Sequence, residues 1–348
     1  MTIDRIELQN GYSISRIIKG GWHLAGGHGS VDEREAIADM RAFVAAGITT
    51  FDCADIYTGV EELIGKFLKS HRAEFNSGDL APIQIHTKYV PDYSALATLT
   101  REDTATIIDR SLIRLGVEQL DLVQFAWWDY SFPGYIEAAH HLKELQQQGK
   151  IRHIGITNFD AKHIKELVDA GIPIISNQLQ YSVLDHRAQH DSQALAEAYD
   201  IPFLCYGSIA GGFISDRYLN APDPKAPLEN RSLIKYRLII NEFGGYSLFQ
   251  ELLNKLRSIA NKHEVDIAEI AMAYVLQKPK VASVIVGARN QKHINKLQKV
   301  ANILLDAEDL ANIKSIVDRS QGPNGSVNEL ERDKTGKHGS IMRYNLNS

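Results

Sequence analysis

Three side chains in the first hundred residues have the types needed to move a proton onto a carbonyl oxygen. Asp52 and Tyr57 lie in the segment FDCADIYTG, and Lys88 lies in IHTKY. A phenol with its ordinary pKa near 10 donates a proton poorly at neutral pH, but a buried ammonium beside it lowers that pKa. A carboxylate would keep the lysine charged. Together the three types predict a general acid, a role that typically contributes about 10²–10⁴ in rate.

Each of these residues taken alone is more typical of a helix cap or of core packing, so the prediction depends on elements that bring them together. Short β-branched runs alternate with amphipathic stretches along the whole chain. The predicted strands are 15–18, 48–53, 83–87, 120–125, 151–156, 173–179, 201–206 and 282–286. The predicted helices are 32–46, 60–71, 101–115, 134–148, 161–170, 187–198, 246–262 and 266–277.

Eight strand–helix repeats fit either an open doubly wound sheet or a closed barrel. The count of eight favours closure, and so does the segment AGGHGS, whose glycine spacing is wrong for a dinucleotide fingerprint. We therefore predict an α/β fold, a (β/α)8 TIM barrel with an N-terminal β-hairpin and long C-terminal loops. In such a barrel the site lies at the carboxyl ends of the strands.

The domain prediction is a single barrel over residues 1–320, followed by a tail over residues 321–348. The segment after Ile316 is polar and rich in glycine, which is typical of a frayed end. However, the tail carries the apolar residues Ile341, Met342 and Tyr344. We therefore expect it to pack near the barrel mouth.

Charge and composition exclude several classes of function. The 348 residues include 38 Lys and Arg against 43 Asp and Glu, a net charge of −5 that argues against nucleic-acid or anionic-membrane surfaces. The only cysteines, Cys53 and Cys205, give no disulfide framework. No signal peptide, transmembrane run or metal-ligand set is evident, since His186 and His190 lack a third ligand. We expect a soluble cytoplasmic protein without a metal, and leave its oligomeric state open.

Six motifs, taken together, resemble the aldo-keto reductase superfamily: FDCADIY, HTKY, GITNF, NQLQYS, YGSIAGG and VIVGARN. They follow one another in order over nearly the whole chain. The resemblance implies a barrel that binds NAD(P)H without a Rossmann domain and interconverts a carbonyl and an alcohol by hydride transfer. Asp52, Tyr57 and Lys88 match the catalytic residues of that family, with Tyr57 as general acid or base.

The resemblance also implies a set of cofactor contacts. Asn158 and Gln178 would hold the nicotinamide carboxamide, and Tyr206 would stack on the ring. The expected cofactor-binding residues are Gly21, Trp22, Asp52, Thr157, Asn158, Gln178, Tyr206, Gly207, Ile209, Gly212, Gly287, Arg289 and His293. His293 stands where the family has glutamine. The guanidinium of Arg289 suits a 2′-phosphate, so we expect NADP(H) in preference to NAD(H).

The fourth strand departs from the family pattern. It reads LVQFAWWDY and places Ala126 where the family has a histidine that orients the carbonyl. Alternation puts Gln124 and Ala126 on one face, with Phe125 and Trp127 on the other. Three interpretations stay open: the acid trio works alone on a bulkier substrate, the position was altered by engineering, or carbonyl reduction is lost. The last would leave reduction of an enone C=C or a cofactor-binding sensor.

The substrate is expected to be a small carbonyl or alcohol. Its contacts are expected from Trp22, Tyr57, Ala126, Trp127 and Trp128, because aromatic residues at a barrel mouth form an apolar pocket. His86 lies two residues before Lys88 and points to the same side of its strand. It would be either a replacement hydrogen-bond donor or a satisfied interior histidine one layer below.

Overall fold

Eight parallel strands close into a barrel, which confirms the predicted fold. The computed structural model describes residues 3–9, 11–26, 29–74, 83–288 and 290–347. In these residues the strands are β1 Arg5–Glu7, β2 Ser13–Ser15, β3 Ile17–Gly20, β4 Thr50–Asp52, β5 Gln84–Tyr89, β6 Leu120–Phe125, β7 Ile151–Thr157, β8 Ile174–Gln180, β9 Phe203–Tyr206 and β10 Val281–Val286. The barrel order is β10-β3-β4-β5-β6-β7-β8-β9, and β9 pairs with β10 to close it.

The register of the barrel strands brings the polar residues of the motifs to one level. Lys88 of β5 pairs with Gln124 of β6, and Thr157 of β7 pairs with Gln178 of β8. Every residue of β5 and β8 is buried, although both sequences are rich in polar side chains. Buried polar groups need hydrogen-bond partners. Lys88 and Gln178 find theirs inside the barrel, whereas Thr87 donates to Glu61 outside the strands.

The N-terminal hairpin closes the opposite end of the barrel. Strands β1 and β2 pair antiparallel, and Tyr12 and Ile14 pack with barrel residues near the starts of the strands, including Leu122. The Tyr12 hydroxyl lies 3.1 Å from Nε2 of His86, which is fully buried. Burial lowers the pKa of His86 to about 3. His86 is therefore the interior histidine, one layer below the carboxyl end of the barrel.

Helices surround the strands. They are α1 Glu33–Ala45, α2 Val60–Glu74, α3 Arg101–Leu115, α4 Tyr135–Gln147, α5 Ala161–Asp169, α6 Arg187–Asp191, α7 Gln193–Tyr199, α8 Arg231–Phe243, α9 Gly245–Lys262, α10 Ile267–Leu276, α11 Ile294–Val300, α12 Ala307–Val317 and α13 Glu329–Arg332. Local chemistry fixes several starts: Asp160 accepts from the backbone N–H of His163, and Thr100 and Asp103 form a capping box. No described helix is long and apolar enough to cross a membrane.

The structure corrects two predicted elements and adds a third that was not predicted. The first barrel strand is Ile17–Gly20 rather than 15–18, because Ser15 ends the hairpin strand β2. The helix predicted over 187–198 is two helices, α6 and α7, that meet at Ser192. No helix was predicted directly before α9, but this segment contains α8, which begins where Asn230 accepts a hydrogen bond from the N–H of Leu233.

The C-terminal segment contacts the loops that follow β4 and β5. The N–H of Tyr93 donates to the carbonyl of Tyr344 at 2.8 Å, and both backbone N–H groups of Leu346 and Asn347 donate to Asp92. The side-chain amide of Asn347 donates to the carbonyl of Val90 and, in the loop after β4, to Oδ2 of Asp55 at 3.1 Å. These contacts place residues 344–347 at the carboxyl end of the barrel. The division into domains at residue 320 stays a prediction.

Candidate active site

A cavity of about 770 Å³ opens at the carboxyl ends of the barrel strands. Its size is within the range of small-molecule and cofactor sites. The residues predicted from sequence that line it are Trp22, Asp52, Tyr57, Lys88, Ala126, Trp127, Trp128, Thr157, Asn158, Gln178, Tyr206, Gly207, Ile209, Gly212, Gly287 and His293. Arg289 lies outside the described residues. The predicted site is therefore brought to one place, with one exception.

The exception is Gly21, which does not line the cavity. Its N–H donates to the carbonyl of Asp52 at 2.7 Å, and a Cβ at this position would lie 2.8 Å from that oxygen and 2.9 Å from Val60. Gly21 is thus a packing residue that lets the chain pass close to β4. Its neighbour Gly20 lines the cavity instead.

Asp52 is the centre of a buried hydrogen-bond network at the cavity floor. Lys88 Nζ donates to Oδ2 at 2.7 Å, while the side-chain amides of Gln124 and Gln178 donate to Oδ1 at 3.0 and 2.6 Å. The Gln178 amide also donates to Gln124 Oε1. The alternation of the fourth strand placed Gln124 on the same face as Ala126 but assigned it no role. That inward-facing amide was the signal in the sequence that could have indicated one.

Lys88 lies beside the candidate acid. Its Nζ is 5.0 Å from the centre of the Tyr57 ring, and it also donates to the carbonyl of Cys53 at 2.8 Å. Burial favours the neutral amine, but the charge of Asp52 outweighs it and raises the pKa of Lys88 above its ordinary value. Lys88 is therefore held as an ammonium.

The expected lowering of the Tyr57 pKa is wrong for the free protein. Burial raises the pKa of Tyr57 above its ordinary value of 10, and the opposing charge of Lys88 is not enough to reverse this. Inside the cavity the phenolate would lose its hydration. The free-energy cost of that loss exceeds the stabilisation by the Lys88 ammonium, because Asp52 already neutralises the charge of Lys88. Tyr57 thus keeps its proton at neutral pH. Its ring packs against Trp22, with centroids 4.9 Å apart.

Two of the residues expected to hold a nicotinamide contact each other at the wall of the cavity. The hydroxyl of Tyr206 donates to Oδ1 of Asn158 at 2.8 Å, and Asn158 has the left-handed φ of 61°. Asparagine tolerates this conformation better than most residues. The amide of Gln178 is directed by Asp52 from below. Amide groups fixed in this way can donate to and accept from a planar carboxamide.

A glycine-rich loop after β9 borders the same cavity. Gly207 and Gly211 have φ of 77° and 64°, and a Cβ on Gly207 would lie 2.4 Å from the hydroxyl of Tyr236. Only glycine fits both the conformation and the space. Next to it, Ser208 is buried, and its Oγ has no hydrogen-bond partner in the described structure. An orphaned hydroxyl in such a loop fits a polar ligand group.

The strand end at Ala126 agrees with the predicted alternation. Gln124 points into the barrel, whereas the rings of Phe125 and Trp127 pack together in the outer layer with centroids 5.9 Å apart. Trp127 is only 2% exposed, and its indole N–H donates to the carbonyls of Asp129 and Phe132. It borders the cavity from a buried position. Trp128 packs against Tyr344, with ring centroids 5.1 Å apart.

Residues from distant parts of the chain also reach the cavity. Ile341 and Met342, two of the apolar tail residues singled out in the sequence, line it together with Leu346. The first turn of α8 lines it from another side and was missed, because nothing in its local sequence shows that it meets the strand ends. Among the described residues no group of three or more His, Cys, Asp or Glu side chains could hold a metal ion.

A sequence model of the Aldo/keto reductase family matches residues 16–318. The chain belongs to the aldo/keto reductase family. The match ends after α12, so the C-terminal segment lies beyond it. The family is NAD(P)H-dependent, and the protein is an oxidoreductase.

Relatives cover most of the chain at low identity. Aldo-keto reductase YhdN of Bacillus subtilis is 26% identical over 326 residues, which are 89% of this chain and 92% of the relative. An NADH-specific methylglyoxal reductase of Escherichia coli is 24% identical over 318 residues, 85% of this chain and 93% of the relative. A glycerol dehydrogenase from Gluconobacter oxydans, AKR11B4, has a TM-score of 0.76 at 21% identity and covers 93% and 98% of the two chains. At that identity the last likeness shows the fold alone.

The Asp52–Lys88 pair gives a prediction for stability. We expect Asp52→Asn to lower the free energy of unfolding by about 3–5 kcal/mol, because it leaves a buried ammonium without its counter-charge. The double variant D52N/K88M should be less destabilised than the sum of the single variants, with a coupling of about 0.5–3 kcal/mol in denaturant unfolding.

A matched control is the exposed pair of Lys66 and Glu33, whose charged atoms are 2.6 Å apart. The same changes there, K66M and E33Q, should each cost no more than about 1 kcal/mol because water screens exposed charges. Additive effects of D52N and K88M would show that the buried pair is not coupled as described.

Proposed function

We propose that this reductase interconverts a small carbonyl compound and its alcohol, with Tyr57 as the general acid or base. The observation that carries the proposal is the assembly of Tyr57, Lys88 and Asp52 on the floor of a cavity large enough for a cofactor and a substrate. A phenol that keeps its proton at neutral pH is suited to protonate a carbonyl oxygen at the moment negative charge develops on it.

The described residues fit a nicotinamide dinucleotide, which would supply or accept a hydride when bound. Asn158, Gln178 and Tyr206 would hold the nicotinamide, because their polar groups are already directed by the network around Asp52 and by each other. The loop at Gly207 and Ser208, with its orphaned Oγ, would hold a phosphate group. Gly287 and His293 would lie at the adenosine end.

Lys88 and Asp52 would act together through Tyr57. As the proton leaves the phenol, the ammonium 5.0 Å from the ring would stabilise the phenolate. Asp52 keeps that lysine charged and in place, since it accepts its hydrogen bond at 2.7 Å. In the oxidation direction the same phenolate would take the proton of the alcohol. The Lys88–Asp52 pair would thus stabilise the phenolate formed during the reaction rather than lower the pKa of Tyr57 in the resting enzyme.

Ala126 widens the substrate side of the cavity. The site lacks the hydrogen-bond donor and the volume of an imidazole, while Trp128 and the apolar residues Met342 and Leu346 line the same cavity. We infer a substrate bulkier than a short aldehyde, with an apolar body in this space. Loss of the donor also favours a second candidate reaction, reduction of an enone, in which a deeper substrate would present its C=C to the hydride.

We propose NADP(H) as the cofactor in preference to NAD(H). Burial, and after it the charges of Lys296 and Lys19, lower the pKa of His293, so two lysines lie near this end of the cavity. Cations at this place would favour a 2′-phosphate. NADPH is expected to bind at least about tenfold more tightly than NADH, measured by quenching of tryptophan fluorescence. Arg289→Met should reduce this difference in affinity without weakening the binding of NADH. Equal binding, or tighter binding of NADH as in the relative named an NADH-specific methylglyoxal reductase, would contradict the proposal.

The central experiment follows consumption of the reduced cofactor with a panel of aldehydes, ketones and enones. Tyr57→Phe should lower turnover by about 10²–10⁴ because it removes the proton but leaves the ring packing. Cofactor affinity should be unchanged. Since the pKa of Tyr57 is raised above 10, reduction should not slow as pH rises from about 6 to about 9, whereas oxidation should accelerate as the phenolate fraction grows.

Unchanged turnover in Tyr57→Phe would remove the tyrosine from the mechanism. Cofactor binding without turnover on any member of the panel by the wild-type protein would favour a nucleotide-binding sensor instead. Tyr93→Phe is a suitable control, because this tyrosine donates to Asp129 in the neighbouring loop and does not line the cavity.

Restoring a donor at the fourth strand tests the role of Ala126. Ala126→His should raise reduction of small aldehydes by up to about 10²-fold, since a hydrogen bond to the developing oxyanion stabilises the transition state. Ala126→Leu fills similar space without a donor and should give no such gain. If the histidine variant gains nothing on aldehydes but loses activity on enones, the C=C reaction is the correct one.

A further inference from the structure

The C-terminal helix α13 lies beyond residue 318, where the family match ends, yet it contacts the residues expected to hold the nicotinamide. Its Glu331 and Arg332 point in two directions. Arg332 reaches the loop after β7, and Glu331 reaches the surroundings of Tyr206. These contacts are on the nicotinamide side of the cavity, whereas Gly287 and His293 follow the last strand, β10.

Arg332 holds the backbone of Asn158. One terminal nitrogen of its guanidinium donates to the carbonyl of Asn158 and to the hydroxyl of Tyr130, the latter at 2.8 Å. The other terminal nitrogen donates to the carbonyl of Val327 at 3.0 Å. Asn158 is in the left-handed conformation, which is sparsely populated for residues with a side chain. A charged donor on its carbonyl therefore stabilises the backbone geometry that aims the Asn158 amide.

The other side of Arg332 is anchored in the barrel. Its guanidinium carbon lies 4.3 Å from the centre of the Tyr130 ring, and that ring stacks on His163 with centroids 3.4 Å apart. His163 in turn is bound to Asp160, the residue that caps α5 two positions after Asn158. Arg332 thus joins the C-terminal segment to a rigid stack, so that its contact with Asn158 is held in a fixed direction.

Glu331 is a buried carboxylate between two cations. It is 2% exposed, and its oxygens lie 3.4 Å from both Arg187 and Lys235. Although burial acts to raise its pKa, the charges of Lys235 and Arg187 lower the pKa of Glu331 to about 2. Arg187 also pairs with Asp185 at 2.8 Å, so two cations balance two anions. The Lys235 ammonium, held by Glu331, lies 5.1 Å from the centre of the Tyr206 ring.

We propose that Arg332 and Glu331 are positioning residues for the nicotinamide site, Arg332 through the backbone of Asn158 and Glu331 through Lys235 against the face of Tyr206. The inference rests on the proposed function, since it assigns these residues to a site for the same cofactor. It makes the C-terminal segment a part of that site. Neither residue is assigned a direct contact with the cofactor.

The test separates the two ends of the dinucleotide. Arg332→Ala should weaken NADPH binding by about ten- to a hundredfold, because a charge-assisted hydrogen bond that fixes the clamp is lost. Binding of 2′,5′-ADP, which has the adenosine phosphates but no nicotinamide, should change by less than about twofold. If the protein binds NADH more tightly than NADPH, the same comparison is made with NADH and ADP in place of NADPH and 2′,5′-ADP. Tryptophan fluorescence and calorimetry report both affinities.

Three further variants make the comparison specific. Arg332→Lys keeps a cation and one donor, and should recover part of the affinity for NADPH. Glu331→Gln is nearly isosteric and should also weaken NADPH selectively. The control is Arg319→Ala, an exposed arginine in the segment after α12 that pairs with Glu251 and should change neither affinity. Melting temperatures identify variants that fail to fold. If Arg332→Ala is one of them, the affinities of Arg332→Lys for NADPH and 2′,5′-ADP decide the test.

Each outcome bears on the proposal. Unchanged NADPH binding in Arg332→Ala would overturn it, and so would an equal loss for NADPH and 2′,5′-ADP, which would show a general structural role. Failure of the wild-type protein to bind either dinucleotide would overturn the proposed function itself. Selective loss of the nicotinamide contribution, with partial recovery in Arg332→Lys, is the expected result.

Discussion

The site depends on one buried carboxylate whose two oxygens must both be satisfied. An unpaired charge in a protein interior is very costly, so Asp52 requires an ammonium and further donors nearby. Lys88 serves one oxygen, and Gln124 and Gln178 serve the other. These four residues come from β4, β5, β6 and β8, so the registers of four strands are tied to a single group. The hydrogen bonds to Asp52 therefore fix the relative positions of these strands and, at the same time, arrange the polar side chains of the cavity floor.

The two ends of the barrel differ in their side chains. Tyr12 and its neighbours from the N-terminal hairpin fill the amino-terminal end with apolar side chains and leave His86 neutral in the interior. The carboxyl end is polar at its floor, and its wall combines apolar residues such as Trp128 and Met342 with charged ones such as Arg231 and Arg343. A wall of this kind suits a ligand that has both apolar and charged parts.

Local sequence was enough for the barrel and for most of the site, because each strand end carries its polar residue within a few positions of a periodic apolar run. Lys88 and Gln178 could be placed in this way. Glu331 and Arg332 could not, since Arg187 and Asn158, which they contact, lie more than a hundred residues earlier in the chain and no local pattern indicates that contact. The raised pKa of Tyr57 was also missed, because burial depends on the whole cavity and the sequence shows only that a lysine is near.

Residues 344–347 are hydrogen-bonded to the loops after β4 and β5. These contacts have a consequence for folding during biosynthesis. Translation produces all eight barrel strands before these residues exist, and domains tend to begin folding from their earlier parts. A nascent barrel can therefore close while the cavity still lacks the wall supplied by residues 341–346. Its apolar interior would stay open to chaperones, or to ligands, until that wall arrives.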